Sequence, residues 1–492
     1  MFQLFHLSAD KDTSLQQQLR EQIASAILNG NIPLNSPLPS SRKLAKQLNV
    51  ARNTVVLAYE HLLDDGYLIA KERSGYYVNP DILAGKVNVA AGPVVTSDDD
   101  TGHKPDWSRC LKVQPSSQRN MHKARDWQRY DYPFIYGQFD TNLFPTNNWR
   151  ECCRDAVSVP AIRDWAADRF DNDDPLLVEQ IRTRLLPRRG VWASPEQILV
   201  TVGAQQALYI LAQLLLDSDS VMGLEDPGYV DIRNICSLSP GQIKPIPVDG
   251  QGMQVGEELS ECDCVYTTPS HQCPTTVTMP IERRYELLKK AEEEDFLIIE
   301  DDYESETNFK SNPIPALKSL DKNDRVLYVG SLSKTLAPGL RMGYLVGPEE
   351  FIKEARALRR LMVRHPAANN QRSVALFLER GYNDALIMNI ARTYEARWHA
   401  MEEALSKYLP DSFTQPTFGG SCYWVKGPEG LDTHKLREAA AENGILIEPG
   451  DIHFMGETPP LNYFRLGYSS ISTDRIEPGI KRLAELIQSL VD

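Results

Sequence analysis

Lys334 stands in SLSKTLAPGLRMGYLVG, residues 331–347, just after an apolar run and among small residues. A lysine held in such a place is a nucleophile that forms a Schiff base with an aldehyde. Ser331 and Ser333 flank it with hydroxyls, and Arg341 supplies a fixed cation suited to a phosphate. FLIIEDDY, residues 296–303, ends a buried run in carboxylates. A carboxylate there is costly unless a cation meets it, and a protonated pyridine nitrogen is such a cation. Asp301 is preferred to Asp302 because Asp-x-Tyr puts Tyr303 on the same side of the strand. Tyr303 can then hydrogen-bond a phenolic ring oxygen. ILVTVGAQQAL reads as strand, glycine, helix, so the helix start at Gly203, Ala204 and Gln205 offers free N–H groups to a phosphate. EDPGY and TTPSHQCPTT close two further strands. Tyr229 can stack on a ring, and His271 or Gln272 can reach its phenolic oxygen. Aldehyde, phosphate, basic ring nitrogen and phenolic oxygen together describe pyridoxal 5'-phosphate. No metal-ligand pattern accompanies them.

A second group of residues suits a different ligand. In LPSSRKLAKQLNVARNTVVLAYEHLLDDGYL, Ser41 and Arg42 open one short helix, and Arg52, Asn53 and Thr54 open the next. Arginine reads guanine bidentately and asparagine reads adenine, so these positions can meet phosphates and base edges of duplex DNA. Ser74 and Gly75 lie at the tip between YLIA and YYV, where backbone can approach the double helix.

The elements that must position these groups follow from periodicity. Leu15, Leu19, Ile23 and Ile27 recur every four residues, an amphipathic helix ended by Gly30. SRKLAKQL makes a second helix that stops at Asn49, a residue tolerant of the left-handed turn. A third runs from Arg52 to about Asp64 and buries Val55, Ala58, Tyr59, Leu62 and Leu63, and two short strands follow. Residues 1–80 thus form a mainly helical unit. Residues 81–128, with Pro, Ser and the run Asp98–Asp100, read as a linker. Residues 129–492 alternate helices with the apolar runs 198–202, 220–225, 264–268, 296–300 and 325–331, the pattern of a parallel sheet covered on both faces. From about 370 the mix of helices and strands suggests a smaller lobe packed on the large one.

The chain has 492 residues, too many for one core, and its 42% apolar and 24% charged residues exclude a mainly disordered chain. Read alone, the net charge of -14 argues against nucleic acid. It divides unevenly: residues 1–80 carry eight basic and seven acidic side chains, a net +1, which leaves -15 for the rest. No acidic residue lies between Arg42 and Arg52. The longest strongly apolar stretch, residues 207–216, is too short to span a bilayer, so no membrane partner is expected. Eight cysteines without a CxxC pair, and no secretion signal at the start, point to reduced thiols and a cytoplasmic location.

The order LPS-x-R, LA, V-x-R-x-TV, AY and GYL resembles the GntR-type winged helix-turn-helix across about 60 residues. Asn49 replaces the family's usual glycine, and Ala51 stands where serine or threonine is frequent. The order GAQQ, EDPGY, PSHQ-x-PT, D-x-Y and S-x-S-K-x6-R resembles fold type I aminotransferases over about 350 residues. That resemblance implies an α/β pyridoxal-phosphate-dependent transferase fold with large and small lobes. It also implies that Arg465, in NYFRLGYSS, clamps the carboxylate of a ligand. Thr276 replaces the common glycine of PTG, and the stretch Arg169–Pro175 also departs from the family. Both together resemble the MocR/GabR regulators. The resemblance implies a homodimer that binds an operator in double-stranded DNA, with RNA polymerase as a further partner. It implies that a small amino acid or amine effector forms an external aldimine in place of Lys334. A working aminotransferase with an accessory DNA-binding unit is the second reading. With every cofactor residue present, half-transamination stays open.

Overall fold

The computed structural model describes residues 5–8, 13–34, 36–72, 74–82, 105–121, 123–304, 306, 308, 314–413 and 419–491. The Asp98–Asp100 run lies outside them. The chain divides into two compact units, Met1–Cys110 and Leu111–Asp492.

In the first unit, α1 (Leu15–Leu28), α2 (Ser41–Leu48) and α3 (Arg52–Asp64) precede the hairpin of β1 (Leu68–Lys71) and β2 (Gly75–Val78). Ser14 caps α1, accepting from the Gln17 amide, and Ser40 caps α2, accepting from Lys43. Asn49 ends α2 in the left-handed conformation (φ 54°) that its side chain tolerates. Leu19, Ile23 and Ile27 of α1 pack with Leu44 and with Val55, Ala58, Tyr59 and Leu62 of α3. Leu63 is only partly buried. The buried Tyr59 hydroxyl donates to the Pro39 carbonyl at 2.9 Å, which fixes the loop before α2. The hairpin is antiparallel, with Lys71 opposite Gly75, so Ser74 lies in its turn.

The second unit opens with β3 (Tyr132–Pro133). Its main sheet contains β4 (Ile198–Thr201), β5 (Val221–Asp226), β6 (Gln242–Asp249), β7 (Gly252–Met253), β8 (Cys264–Thr267), β9 (Leu297–Asp302), β10 (Val326–Ser331) and β11 (Gly343–Val346). The spatial order is β4-β11-β10-β9-β8-β5-β6-β7. Strands β10, β9, β8, β5 and β6 pair in parallel, whereas β11 is antiparallel to both its neighbours. The sheet is therefore mixed, not purely parallel. The reversed strand GYLV lies directly beyond the lysine motif, and the short return from β10 forces antiparallel pairing. Side chains alternate between two faces, both covered: Leu327 and Val329 join one cluster, and Tyr328 joins another.

A three-stranded antiparallel sheet, of β12 (Cys422–Lys426), β14 (Glu448–Pro449) and β15 (Tyr463–Gly467), forms the smaller lobe. The helices Tyr382–Tyr408 and Thr473–Val491 pack with it, while β13 (Ile445–Leu446) pairs with β3. The stretch Arg169–Pro175 has a structural use. Asp173 is buried and accepts from Arg356, Arg359 and the Val200 amide, and Asp174 caps the helix Pro175–Gln180. The latter part of the stretch read as linker packs on this unit: Gln118 donates to the Asn234 carbonyl at 2.9 Å, and Arg119 to the Asp451 carbonyl at 2.9 Å. Among the described residues no helix is long and apolar enough to cross a membrane.

Candidate cofactor and DNA sites

The groups singled out in the second unit gather at the carboxyl ends of the sheet strands, where ligands bind in open α/β sheets. Asp301 ends β9, Lys334 follows β10, the helix Gly203–Leu215 follows β4, and Tyr229 follows β5. They border a cavity of about 240 Å³, which Arg341 and Arg465 also line. A smaller cavity of about 30 Å³ adjoins it at Lys334 and Tyr303.

Lys334 points its amine at Tyr136. Nζ donates to the Tyr136 hydroxyl at 2.9 Å and stands 4.0 Å from the ring centroid. Burial is the largest influence on it and lowers its pKa below the ordinary 10.5, which favours the neutral, nucleophilic amine. Asp301 is buried. Its Oδ2 accepts from the Tyr266 hydroxyl at 2.8 Å, and among the described residues its Oδ1 has no hydrogen-bond partner. Desolvation pushes the carboxyl up to about 7. Asp302 is spent elsewhere, on Arg189 at 2.6 Å and the Tyr328 hydroxyl at 2.7 Å.

Arg341 sits against the start of the helix Gly203–Leu215. A Cβ on Gly203 would come within 2.8 Å of its Nη2, and Gly203 has φ +73°. Glycine is therefore required twice over, by backbone and by neighbour. Ala204, Gln205, Ser331 and Ser333 line the same end of the cavity. Ser333 Oγ accepts from the Met342 amide at 3.0 Å. The Tyr229 hydroxyl lies 3.1 Å from Gln205 Oε1 and 3.0 Å from Asp231 Oδ2, so the ring is held at the cavity wall.

His271 and Gln272 are not brought to the cavity. His271 is buried edge-on to Tyr303, with ring centroids 6.2 Å apart, and its Nε2 lies 3.2 Å from Glu304. Burial lowers its pKa below 6.5. The Gln272 amide donates to Glu225 at 3.1 Å and to the Pro227 carbonyl at 2.8 Å, because the buried Glu225 carboxylate needs donors. Cys273, the next residue, lines the cavity instead. Thr276 takes the left-handed conformation (φ 65°) at the position of the family's glycine.

Arg465 is buried on β15, opposite Glu448 of β14. That register produces the ion pair between Arg465 Nε and Glu448 Oε2 at 2.9 Å. The guanidinium lies 4.1 Å from the Tyr136 centroid, and its Nη2 donates to the Met121 sulfur at 3.3 Å. Met121, Tyr136, Cys273 and Glu448 were not singled out from the sequence. Cys273 is the open position of PSHQ-x-PT, whereas the other three carry no local motif and reach the site through contacts distant in sequence.

These residues fit pyridoxal phosphate. The orphaned Asp301 Oδ1 suits a ring N–H, the glycine-backed Arg341 and helix start suit the phosphate, and Lys334 suits the aldehyde. The cofactor, when bound, supplies an aldehyde that condenses with primary amines and an electron-withdrawing ring.

In the first unit Arg42, Arg52, Asn53, Ser74 and Gly75 are exposed, while Ser41 and Thr54 are half-buried. Arg52 Nε lies 3.5 Å from Ser41 Oγ, which links the starts of α2 and α3. Among the described residues no side chain caps α3 at Ala51; the Thr54 N–H bonds the Ala51 carbonyl at 3.0 Å, which leaves the Arg52 and Asn53 N–H groups for a phosphate. Ser74 Oγ and the Tyr77 hydroxyl are 2.7 Å apart in the hairpin turn.

Fold and sites together define a winged-helix DNA-binding unit joined to an aminotransferase-like unit. The gntR family of bacterial regulatory proteins matches residues 15–78, and the class I and II aminotransferases match residues 171–483. The chain is 40% identical over 484 residues to the HTH-type transcriptional regulator TauR of Rhodobacter capsulatus, covering 98% of this chain and 99% of that one. It is 29% identical over 491 residues to the probable rhizopine catabolism regulatory protein MocR of Rhizobium meliloti, covering 98% and 96%. The kynurenine aminotransferase of Pyrococcus horikoshii superposes with TM-score 0.71 at 29% identity, covering 79% of this chain and 99% of its own. The chain belongs to the GntR/MocR-type HTH transcriptional regulators with an aminotransferase-like domain. Regulators of the gntR family bind DNA operators, and the aminotransferase fold implies use of pyridoxal phosphate.

Proposed function

We propose that this protein is a pyridoxal-phosphate-dependent regulator that senses a small amine or amino acid and controls an operon through its winged helix. The observation that carries the reading is the joining, in one chain, of a cavity fitted to the cofactor with exposed Arg42, Arg52 and Asn53 at the helix starts of a DNA-binding unit. Lys334 would hold the cofactor's aldehyde carbon, Asp301 its ring nitrogen, and Arg341 with Gly203, Ala204 and Gln205 its phosphate, and the cofactor would supply an aldehyde open to a primary amine. Tyr229 and Tyr303 orient the ring, and Arg465 receives an acidic group of the effector. Arg42, Arg52, Asn53 and Thr54, with Ser41, Ser74 and Gly75, meet the operator. Residues 1–80 are the reader, and 129–492, with the part of the preceding stretch that packs on them, the sensor. The working form is a homodimer, which the exposed apolar Leu361, Met362 and Val363 support.

The test is a screen of amines and amino acids for shifts of the cofactor absorption band, run beside operator binding. A compound that changes both together is the expected result. Steady turnover with a keto-acid acceptor, with no operator binding, overturns the reading in favour of an aminotransferase.

A further inference from the structure

One cation near the cavity is not used by the cofactor. Lys123 Nζ donates to the Tyr136 carbonyl at 2.7 Å and stands 5.8 Å from that ring's centroid. It would lie 3.2 Å from a Cβ on Gly137, where Lys334 Nζ would lie at 3.5 Å. Three cations therefore surround Tyr136: Lys123, Lys334 at 4.0 Å and Arg465 at 4.1 Å. The nearby carboxylates are engaged elsewhere. Glu448 holds Arg465 Nε, Asp231 accepts from Tyr229, and Glu304 accepts from Ser421 and lies 3.2 Å from His271. Among the described residues no carboxylate lies within ion-pair distance of Lys123.

Lys123 follows a strap, residues 118–121, laid across the unit by side-chain bonds. Gln118 bonds the Asn234 carbonyl and Ser237, Arg119 bonds Asp451, and Asn120 accepts from Asn234 at 2.8 Å. Met121 then places its thioether on Arg465 Nη2. A thioether is a weak acceptor for a guanidinium, far inferior to a carboxylate or sulfonate. The strap thus puts a replaceable group on one cation, and Lys123 adds a second cation beside it.

We propose that Lys123 and Arg465 form one anion subsite, which an acidic group on the effector fills by displacing Met121. The ligand class is a primary amine bearing a second, acidic group. The amine reaches Lys334 while the acid lies between the strap and β15. This rests on the sensing function proposed above.

The experiment titrates the full-length, cofactor-loaded protein with two matched probe series, ω-amino carboxylates of two to six carbons and plain alkylamines of equal length. The readout is the midpoint of the cofactor band shift. The wild type is expected to prefer the acid-bearing series. Lys123→Met should weaken that series by about tenfold or more and the alkylamines by less than about twofold, and Lys123→Arg should restore the preference. Equal losses in both series, or none, overturn the subsite, as does a wild type that shows no preference or no shift with either series. If the acid-bearing probes shift the band with the predicted selectivity but leave operator binding unchanged, the subsite stands and the sensing function fails.

Discussion

Gly203→Ala tests whether the phosphate cradle is built as described. Two costs can be separated. Gly203 has φ +73°, and an L side chain there costs about 1–2 kcal/mol. The added Cβ would also lie 2.8 Å from Arg341 Nη2 and 3.0 Å from its Cζ. Ordinary contact distance is about 3.5–4.0 Å, so the guanidinium must retreat by about 0.5–1 Å. A charge-assisted hydrogen bond to phosphate is worth about 1.5–3 kcal/mol, so its loss weakens cofactor binding about tenfold to a hundredfold. Gly381→Ala supplies the control. Gly381 has the same φ of +73°, but its Cβ would meet nothing closer than Asp384 Oδ2 at 3.9 Å. Both variants should lose similar stability in urea denaturation of the cofactor-free protein. Only Gly203→Ala should lose affinity when cofactor is titrated by absorbance. Equal cofactor affinity in the two variants would refute the placement of the phosphate at this helix start.

Three further predictions rest on other parts of the molecule. The Asp301 carboxyl is raised by burial to about 7 in the cofactor-free protein, so its protonated form stabilises the fold below about pH 4, and that contribution is lost as pH rises through about 7. Asp301→Asn should lack this pH-dependent loss in urea denaturation between pH 4 and 8, while binding cofactor more weakly. Parallel pH profiles for the two proteins would count against it. Arg52→Ala, at an exposed site, should change stability by less than about 0.5 kcal/mol and weaken operator binding by about 1–3 kcal/mol at fixed salt, measured by fluorescence anisotropy. Asp173→Ala leaves Arg356 and the buried Arg359 without their carboxylate, and should cost about 3–5 kcal/mol in the second unit; a change below about 1 kcal/mol would contradict the clamp.

Much of the site was legible because its groups are local to strand ends. Lys334 and Asp301 each follow an apolar run, where a buried charge needs a partner, and Arg341 lies in the same short motif as Lys334. The winged helix was legible for a similar reason: its four-residue apolar spacing, caps and turn residues lie within one short stretch. The floor of the cavity was not. Tyr136 meets Lys334 across 198 positions, and Met121 meets Arg465 across 344. No spacing rule reaches that far. The ion pair of Arg465 with Glu448 depends on the register of β14 against β15, two strands too short for alternation to fix. His271 and Gln272 looked like ring contacts because PSHQ follows a strand. The need to satisfy the buried Glu225 draws the Gln272 amide away and leaves Cys273 facing the cavity.

In the regulator proposed above, the cofactor cavity and the DNA-binding unit report on each other. The direct measurement follows the cofactor absorption band and operator anisotropy in one sample as an active amine is added, in the wild type and in Lys334→Ala. In the wild type the two signals should move with the same midpoint. In Lys334→Ala the lysine-dependent band should be absent and operator binding should no longer respond to the amine. An operator response in Lys334→Ala equal to that of the wild type, or a wild-type band shift with no change in operator binding, would contradict the account.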